Sequence, residues 1–228
     1  MKCRLCGAKK VNSDEMNTCR DCGFTMCSIC MAKAGEIKQC PGCKKDMDSA
    51  YIKARQEKTL KELQSKAEKN PDNPKVLYDL GIVLYNIKND EQKAIDLLKR
   101  SSELKKGYAA PLLSLVMLYQ RKGDLKRAEE ACKNILEADP KNHLAYYNLG
   151  IIYTQQRRLM DAAKSYAEAL KINPKMPQAY NNLGNILVMG GKTKQAISAY
   201  ENAVMLGHPR KDKLEKQIEN LRKAHDGN

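Results

Sequence analysis

From residue 74 to residue 210, small and apolar positions recur on a fixed beat. Ala94, Ala128, Ala162 and Ala196 stand 34 residues apart in succession, and the pairs Tyr146/Tyr180, Leu149/Leu183, Gly150/Gly184 and Pro140/Pro174 keep the same spacing. So many residue types do not share one spacing by chance, so the period marks a unit repeated four times. Repeats of this length include helix–turn–helix units, and each unit is expected to hold two helices and a turn. Small residues at Gly81, Gly150 and Gly184 in the first helix, and alanine in the second, let the two helices approach closely. Pro140 and Pro174 end the second helix of their units. Val116 replaces the small residue in the second unit, which predicts slightly looser packing there. The first unit carries one extra residue, assigned to the turn between Lys88 and Glu91, which puts Gly81 one place out of register. Cys132 falls on the inward face of a second helix and reads as a buried core thiol.

The flanks are also helical. From about Asp48 to Lys69 the chain is rich in Ala, Lys, Glu, Gln and Leu without Gly or Pro. Ile52, Leu60, Leu63 and Ala67 form a partial apolar stripe, and Asn70-Pro71-Asp72-Asn73-Pro74 is a double-proline stop. The expectation is a spacer whose C-terminal half caps the first unit. Self-association through a coiled coil is the alternative, with few heptads to support it. After His208-Pro209, residues 210–224 carry Leu214, Ile218 and Leu221 on a polar background, as the closing helix of a repeat array requires.

These repeats resemble the tetratricopeptide family. The resemblance implies an all-α superhelical solenoid of helical hairpins, with units at 74–108, 109–142, 143–176 and 177–210. Residues 47–73 would form the connecting helix, and 211–228 the C-terminal capping helix and tail. It further implies a concave wall lined by the first helix of each unit, where a protein or peptide partner would bind. The positions concerned are Lys75, Tyr78, Asp79, Arg121, Tyr147, Asn148, Gln155, Gln178, Asn181, Asn182 and Asn185. Asn148 and Asn182, one period apart, resemble the asparagine ladder with which several such proteins hold an extended peptide backbone. An amide both donates and accepts, so it bonds a peptide group without reading its side chain. The cations of the family's dicarboxylate clamp are missing: Tyr78, Ile82, Ser114, Leu144 and Asn148 occupy those places.

Residues 1–46 form a second domain. Cys3/Cys6, Cys19/Cys22, Cys27/Cys30 and Cys40/Cys43 are four C-x-x-C pairs, and two such pairs complete the tetrahedron that zinc prefers. Eight thiolates make two closed structural sites with no position left for water. Metal must supply most of the folding free energy of so short a segment. Interleaving puts Cys3, Cys6, Cys27 and Cys30 on one ion, and Cys19, Cys22, Cys40 and Cys43 on the other, in one cross-braced unit. A sequential arrangement, with only Gly23 to Met26 between the middle pairs, is the other solution.

The stretch from Cys19 to Cys30, CRDCGFTMCSIC, resembles the centre of a FYVE finger. The family's basic lipid-binding motif is replaced by Asp14-Glu15-Met16-Asn17-Thr18 ahead of Cys19-Arg20, so headgroup binding does not carry over. The segment also resembles a RING finger. Leu5 stands where RING domains contact a ubiquitin-conjugating enzyme, and Cys40-Pro41-Gly42-Cys43 with Lys44 matches the family's ending. No histidine serves as a ligand, and no aromatic lies between Cys30 and Cys40. A ubiquitin ligase whose repeats recruit substrate is therefore the alternative to a non-enzymatic adaptor.

Composition agrees with a helical repeat: 30% charged and 5% aromatic, with Tyr 11, Phe 1 and Trp 0. The formal charge of +14 falls to about +10 if two zinc–thiolate centres form, and the cations alternate with acids, so nucleic acid is not the expected partner. Met1-Lys2-Cys3 opens no apolar run, and no stretch is long enough to span a membrane. Nine cysteines without a secretory signal point to the reducing cytoplasm. The histidines, His143, His208 and His225, lie away from the cysteines, and no phosphate-binding glycine loop or nucleophile elbow is present.

Overall fold

The computed structural model describes residues 16–18, 25–27 and 49–226. Among these are two three-residue strands, β1 (Met16–Thr18) and β2 (Thr25–Cys27), paired antiparallel with Met16 opposite Cys27 and Thr18 opposite Thr25. The remaining candidate zinc ligands (Cys3, Cys6, Cys19, Cys22, Cys30, Cys40 and Cys43) lie outside the described residues.

Ten helices follow among the described residues. They are α1 (Ser49–Lys69), α2 (Pro74–Lys88), α3 (Glu91–Leu104), α4 (Ala109–Arg121), α5 (Leu125–Ala138), α6 (His143–Gln155), α7 (Leu159–Ile172), α8 (Pro177–Met189), α9 (Thr193–Met205) and α10 (Lys211–Asp226). The chain divides into two compact units within α4, after Ser114.

In the first unit, α1 lays Leu60 and Leu63 against Leu80, Val83 and Leu84 of α2, with Ala67, Ile87 and Leu97 at the margin. Helix α2 starts where Asn73 caps it: its side chain accepts from the amides of Lys75 and Val76, and Pro74 occupies the first turn, where no amide donor is needed. Ser101, fully buried on α3, donates to the Pro74 carbonyl at 2.6 Å and fixes the second helix to the start of the first.

The extra residue of the first repeat lies in the helix, not the turn. Helix α2 has 15 residues, whereas α4, α6 and α8 each have 13. The turn is closed by a left-handed residue that never leaves the beat: Asn89 (φ 52°), Gly123 (74°), Arg157 (60°) and Gly191 (70°). In the first repeat Asn89 follows α2 directly and Asp90 caps α3, accepting from the Lys93 amide. The longer helix turns Gly81 toward α3. A methyl group on it would stand 3.2 Å from the Ala94 carbonyl oxygen and 3.3 Å from Leu98.

In the second unit, α6 packs on α7, α8 on α9, and α7 on α8. The periodic alanines Ala128, Ala162 and Ala196 are fully buried there. Val116 and Cys132 are fully buried too. Cys132 stands one period before Tyr166 and two before Tyr200, so the repeat whose glycine position is filled by valine also has a smaller residue at its tyrosine position. The thiol of Cys132 is pushed up to about 12, first by burial and then by Glu129, and it is no nucleophile near neutral pH. Helix α10 closes the unit, placing Leu214 and Ile218 against Ala196, Tyr200 and Ala203 of α9. No described helix is long and apolar enough to cross a membrane.

Candidate partner-binding face

The first helices carry the candidate residues, and the two units handle them differently. In the first unit, Lys75 is exposed and reaches the buried Asp79 carboxylate at 2.8 Å, one helical turn away. Tyr78 meets Tyr108 edge to face at 5.6 Å, and the Lys105 ammonium lies 5.4 Å from the Tyr108 ring centroid. The Tyr108 hydroxyl is raised above its ordinary value by burial and then by Asp79. In this unit the candidate residues are charged and internally paired.

In the second unit the face is built of amides and rings. Asn182 on α8 donates to the Tyr147 hydroxyl of α6 at 3.5 Å and accepts from Asn181 at 3.4 Å. The Tyr147 ring rests on Tyr166 at 5.9 Å, and burial raises its hydroxyl above the ordinary tyrosine value. Asn148 turns its amide nitrogen back to the Leu144 carbonyl of its own helix at 2.8 Å. Asn185 accepts from the Tyr200 hydroxyl at 2.8 Å, and that hydroxyl accepts from Gln217 of α10 at 2.8 Å, so the capping helix helps to hold Asn185. Gln155 and Gln178 are exposed near the end of α6 and the start of α8, and Arg121 is exposed at the end of α4. Tyr147, Asn181 and Asn182 thus come together. Asn148 stands by itself on α6, and Asn185 belongs to the network at the capping helix.

One polar cluster falls outside these candidates. Glu129 on α5 accepts from Lys133 at 2.8 Å, Tyr153 at 3.2 Å and Gln156 at 3.4 Å, and faces Arg158 at 3.4 Å. Arg158 also lies 4.2 Å from the Tyr153 ring centroid and pairs with Asp161 at 2.7 Å. Burial alone would raise the Glu129 carboxyl. The hydrogen bonds from Lys133 and Gln156, with the Lys133 charge, bring it below its ordinary value. The sequence carries a signal for this cluster. The positions one period from Glu129 are Ile95 on one side and Ala163 on the other, and the next is Ile197, so a carboxylate sits in an apolar phase of the repeat.

Residues 113–177 and 155–206 match the sequence profile described as tetratricopeptide repeat. Among solved structures, MamA is similar over 72% of this chain and 97% of its own, at 20% identity and a TM-score of 0.60. PilF of Pseudomonas aeruginosa aligns over 77% of this chain and 81% of its own, at 14% identity and a TM-score of 0.66. The thermophilic TPR protein TTC0263 of Thermus thermophilus covers 75% of this chain and 93% of its own, at 19% identity and a TM-score of 0.54. No curated protein is a significant sequence match. Tetratricopeptide repeats are thus matched within residues 113–206, and the fold of the helical part is similar to that of solved tetratricopeptide proteins.

Proposed function

We propose that the chain is a non-enzymatic interaction adaptor of the cytoplasm, whose first-helix face holds a peptide or protein partner. The observation that carries this reading is the Tyr147–Asn182–Asn181 chain across α6 and α8, which gathers side-chain amides, a group able both to donate to and to accept from a peptide backbone. A partner retained by the wild-type protein should be lost from the Asn148→Ala/Asn182→Ala double variant with helical circular dichroism unchanged. Undiminished capture moves the binding face elsewhere.

Residues 1–46 complete the reading as a zinc finger with two structural ions, ligated by Cys3, Cys6, Cys27 and Cys30 and by Cys19, Cys22, Cys40 and Cys43. Supporting it are the all-thiolate donor set and the β1–β2 pairing, which pairs Thr18 with Thr25 across the segment containing Cys19 and Cys22. Metal analysis of purified protein should find two zinc ions per chain. A ligase reading draws on Leu5 and Cys40-Pro41-Gly42-Cys43. It would be adopted if the protein ubiquitinated itself with a conjugating enzyme and Leu5→Ala abolished the product.

A further inference from the structure

We propose that the α6–α8 face takes an extended peptide segment without formal charge, bonded through its backbone and seated against methionine and leucine side chains. This rests on the reading of that face as a partner site and adds the chemistry of the partner.

The chain is 30% charged, yet α6 (HLAYYNLGIIYTQ) and α8 (PQAYNNLGNILVM) contain no Asp, Glu, Lys or Arg. The second helices of the same unit are not so depleted. Helix α5 carries Lys126, Arg127, Glu129, Glu130, Lys133 and Glu137, α7 has acids and lysines, and α9 has Lys194 and Glu201. Neutrality is therefore a property of the face, not of the unit.

A charged side chain docked between α6 and α8 would lose hydration and find no opposite charge on either helix, a cost that grows as water is excluded. An uncharged segment meets no such barrier, and its peptide groups find partners. Among the described residues the Asn148 and Asn181 side-chain oxygens and the Asn185 side-chain nitrogen have no other bond, and Gln155 and Gln178 offer both kinds of group. Apolar area is exposed on the same helices: Leu144 on α6 is 41% exposed and Met189 on α8 63%, with Met117 on the preceding first helix at 51%. Methionine adapts its shape to irregular apolar partners, so such contacts add affinity without demanding one side chain.

The test uses fluorescently labelled twelve-residue peptides on one scaffold: an uncharged set alternating Ser, Thr or Asn with Val, Leu or Ala, an acidic set and a basic set. Fluorescence anisotropy should show the uncharged set bound at least tenfold more tightly than the others. Its affinity should change less than about twofold between low and high salt, since there is little charge attraction to screen. Asn148→Asp with Asn182→Asp should weaken it about tenfold and shift preference to the basic set, with helicity unchanged.

Tightest binding of a charged set, or a salt dependence above tenfold, overturns the inference but leaves the face as the partner site. It is likewise overturned, with the face kept, if no set binds while the Asn148→Ala/Asn182→Ala variant still loses its protein partner. If that variant keeps its partner, the underlying reading fails as well. A concentration-dependent dimer in sedimentation that the Asp variant abolishes would make a second copy the occupant, and would also overturn the inference.

Discussion

The ring of Tyr166 lies against the backbone of Gly150 so closely that a Cβ on Gly150 would stand 2.5 Å from the ring edge. Gly184 and Tyr200 repeat the relationship at 2.5 Å one period later. The glycines are set by the tyrosines across the hairpin, because no atom fits between helix and ring. Gly150→Ala should therefore cost about 1–3 kcal/mol in thermal or denaturant unfolding. The second repeat carries both exchanges, Val116 at the glycine position and Cys132 at the tyrosine position. Gly150→Val combined with Tyr166→Cys copies the Val116 and Cys132 arrangement and should be more stable than Gly150→Val alone, an interaction a double-mutant cycle measures.

Arg157 occupies with φ 60° the turn position where the neighbouring repeats have Gly123 and Gly191. A side chain in the left-handed region is strained, and glycine is not. Arg157→Gly should raise stability by about 0.5–1 kcal/mol, and Gly191→Arg should lower it by a similar amount. Urea unfolding with unchanged m-value checks both.

Glu129 gathers Lys133, Tyr153, Gln156 and Arg158 around a carboxylate that is only 15% exposed. Glu129→Ala should destabilise the second unit by about 1–3 kcal/mol, because it strips partners from several polar groups at once. Its carboxyl lies lower in the folded chain than in the unfolded one. The contribution is then full above the ordinary carboxylate range and is lost as pH falls through the folded value. The melting temperature of wild type should approach that of Glu129→Ala as pH drops below that range.

His208, 7% exposed, sits between the last repeat and α10 and accepts from the Arg210 amide through Nδ1 at 3.1 Å. Burial, and then Arg210, hold its pKa below the ordinary 6.5. The folded state prefers the neutral ring, so this contribution is complete above the ordinary value and fades as pH falls through and below it. Melting temperatures between about pH 8 and 5 should fall in wild type and fall less in His208→Asn, which keeps an acceptor but does not titrate in that range.

Chelating metal from the full chain should unfold residues 1–46 while leaving most helical signal intact, since the described helices bury their own core without a metal ligand. A helical signal that collapses with zinc removal would show that the finger and the repeats fold as one.

The repeat was legible because close helix approach leaves few residue choices: Ala94, Ala128, Ala162 and Ala196 are all fully buried. The position of the extra residue was not legible: the polar run from Lys88 to Glu91 reads as a longer turn. Asn89 in the left-handed region decides for the helix. At the candidate site the residue types were readable and their pairings were not. Asn182 joins Tyr147 across two repeats, whereas Asn148, alike in sequence, spends its donor on its own helix.

By itself, then, the sequence determined period, helix pairing and the small residues at each seam, because these follow from local chain geometry and from volume. The tertiary structure decided how the amides pair, how Glu129 is neutralised and how α10 holds Asn185 through Tyr200. Most of these depend on side chains on different helices meeting at hydrogen-bond distance, from 15 residues apart for Asn185 and Tyr200 to 35 for Tyr147 and Asn182, and that meeting is set by how the helices pack.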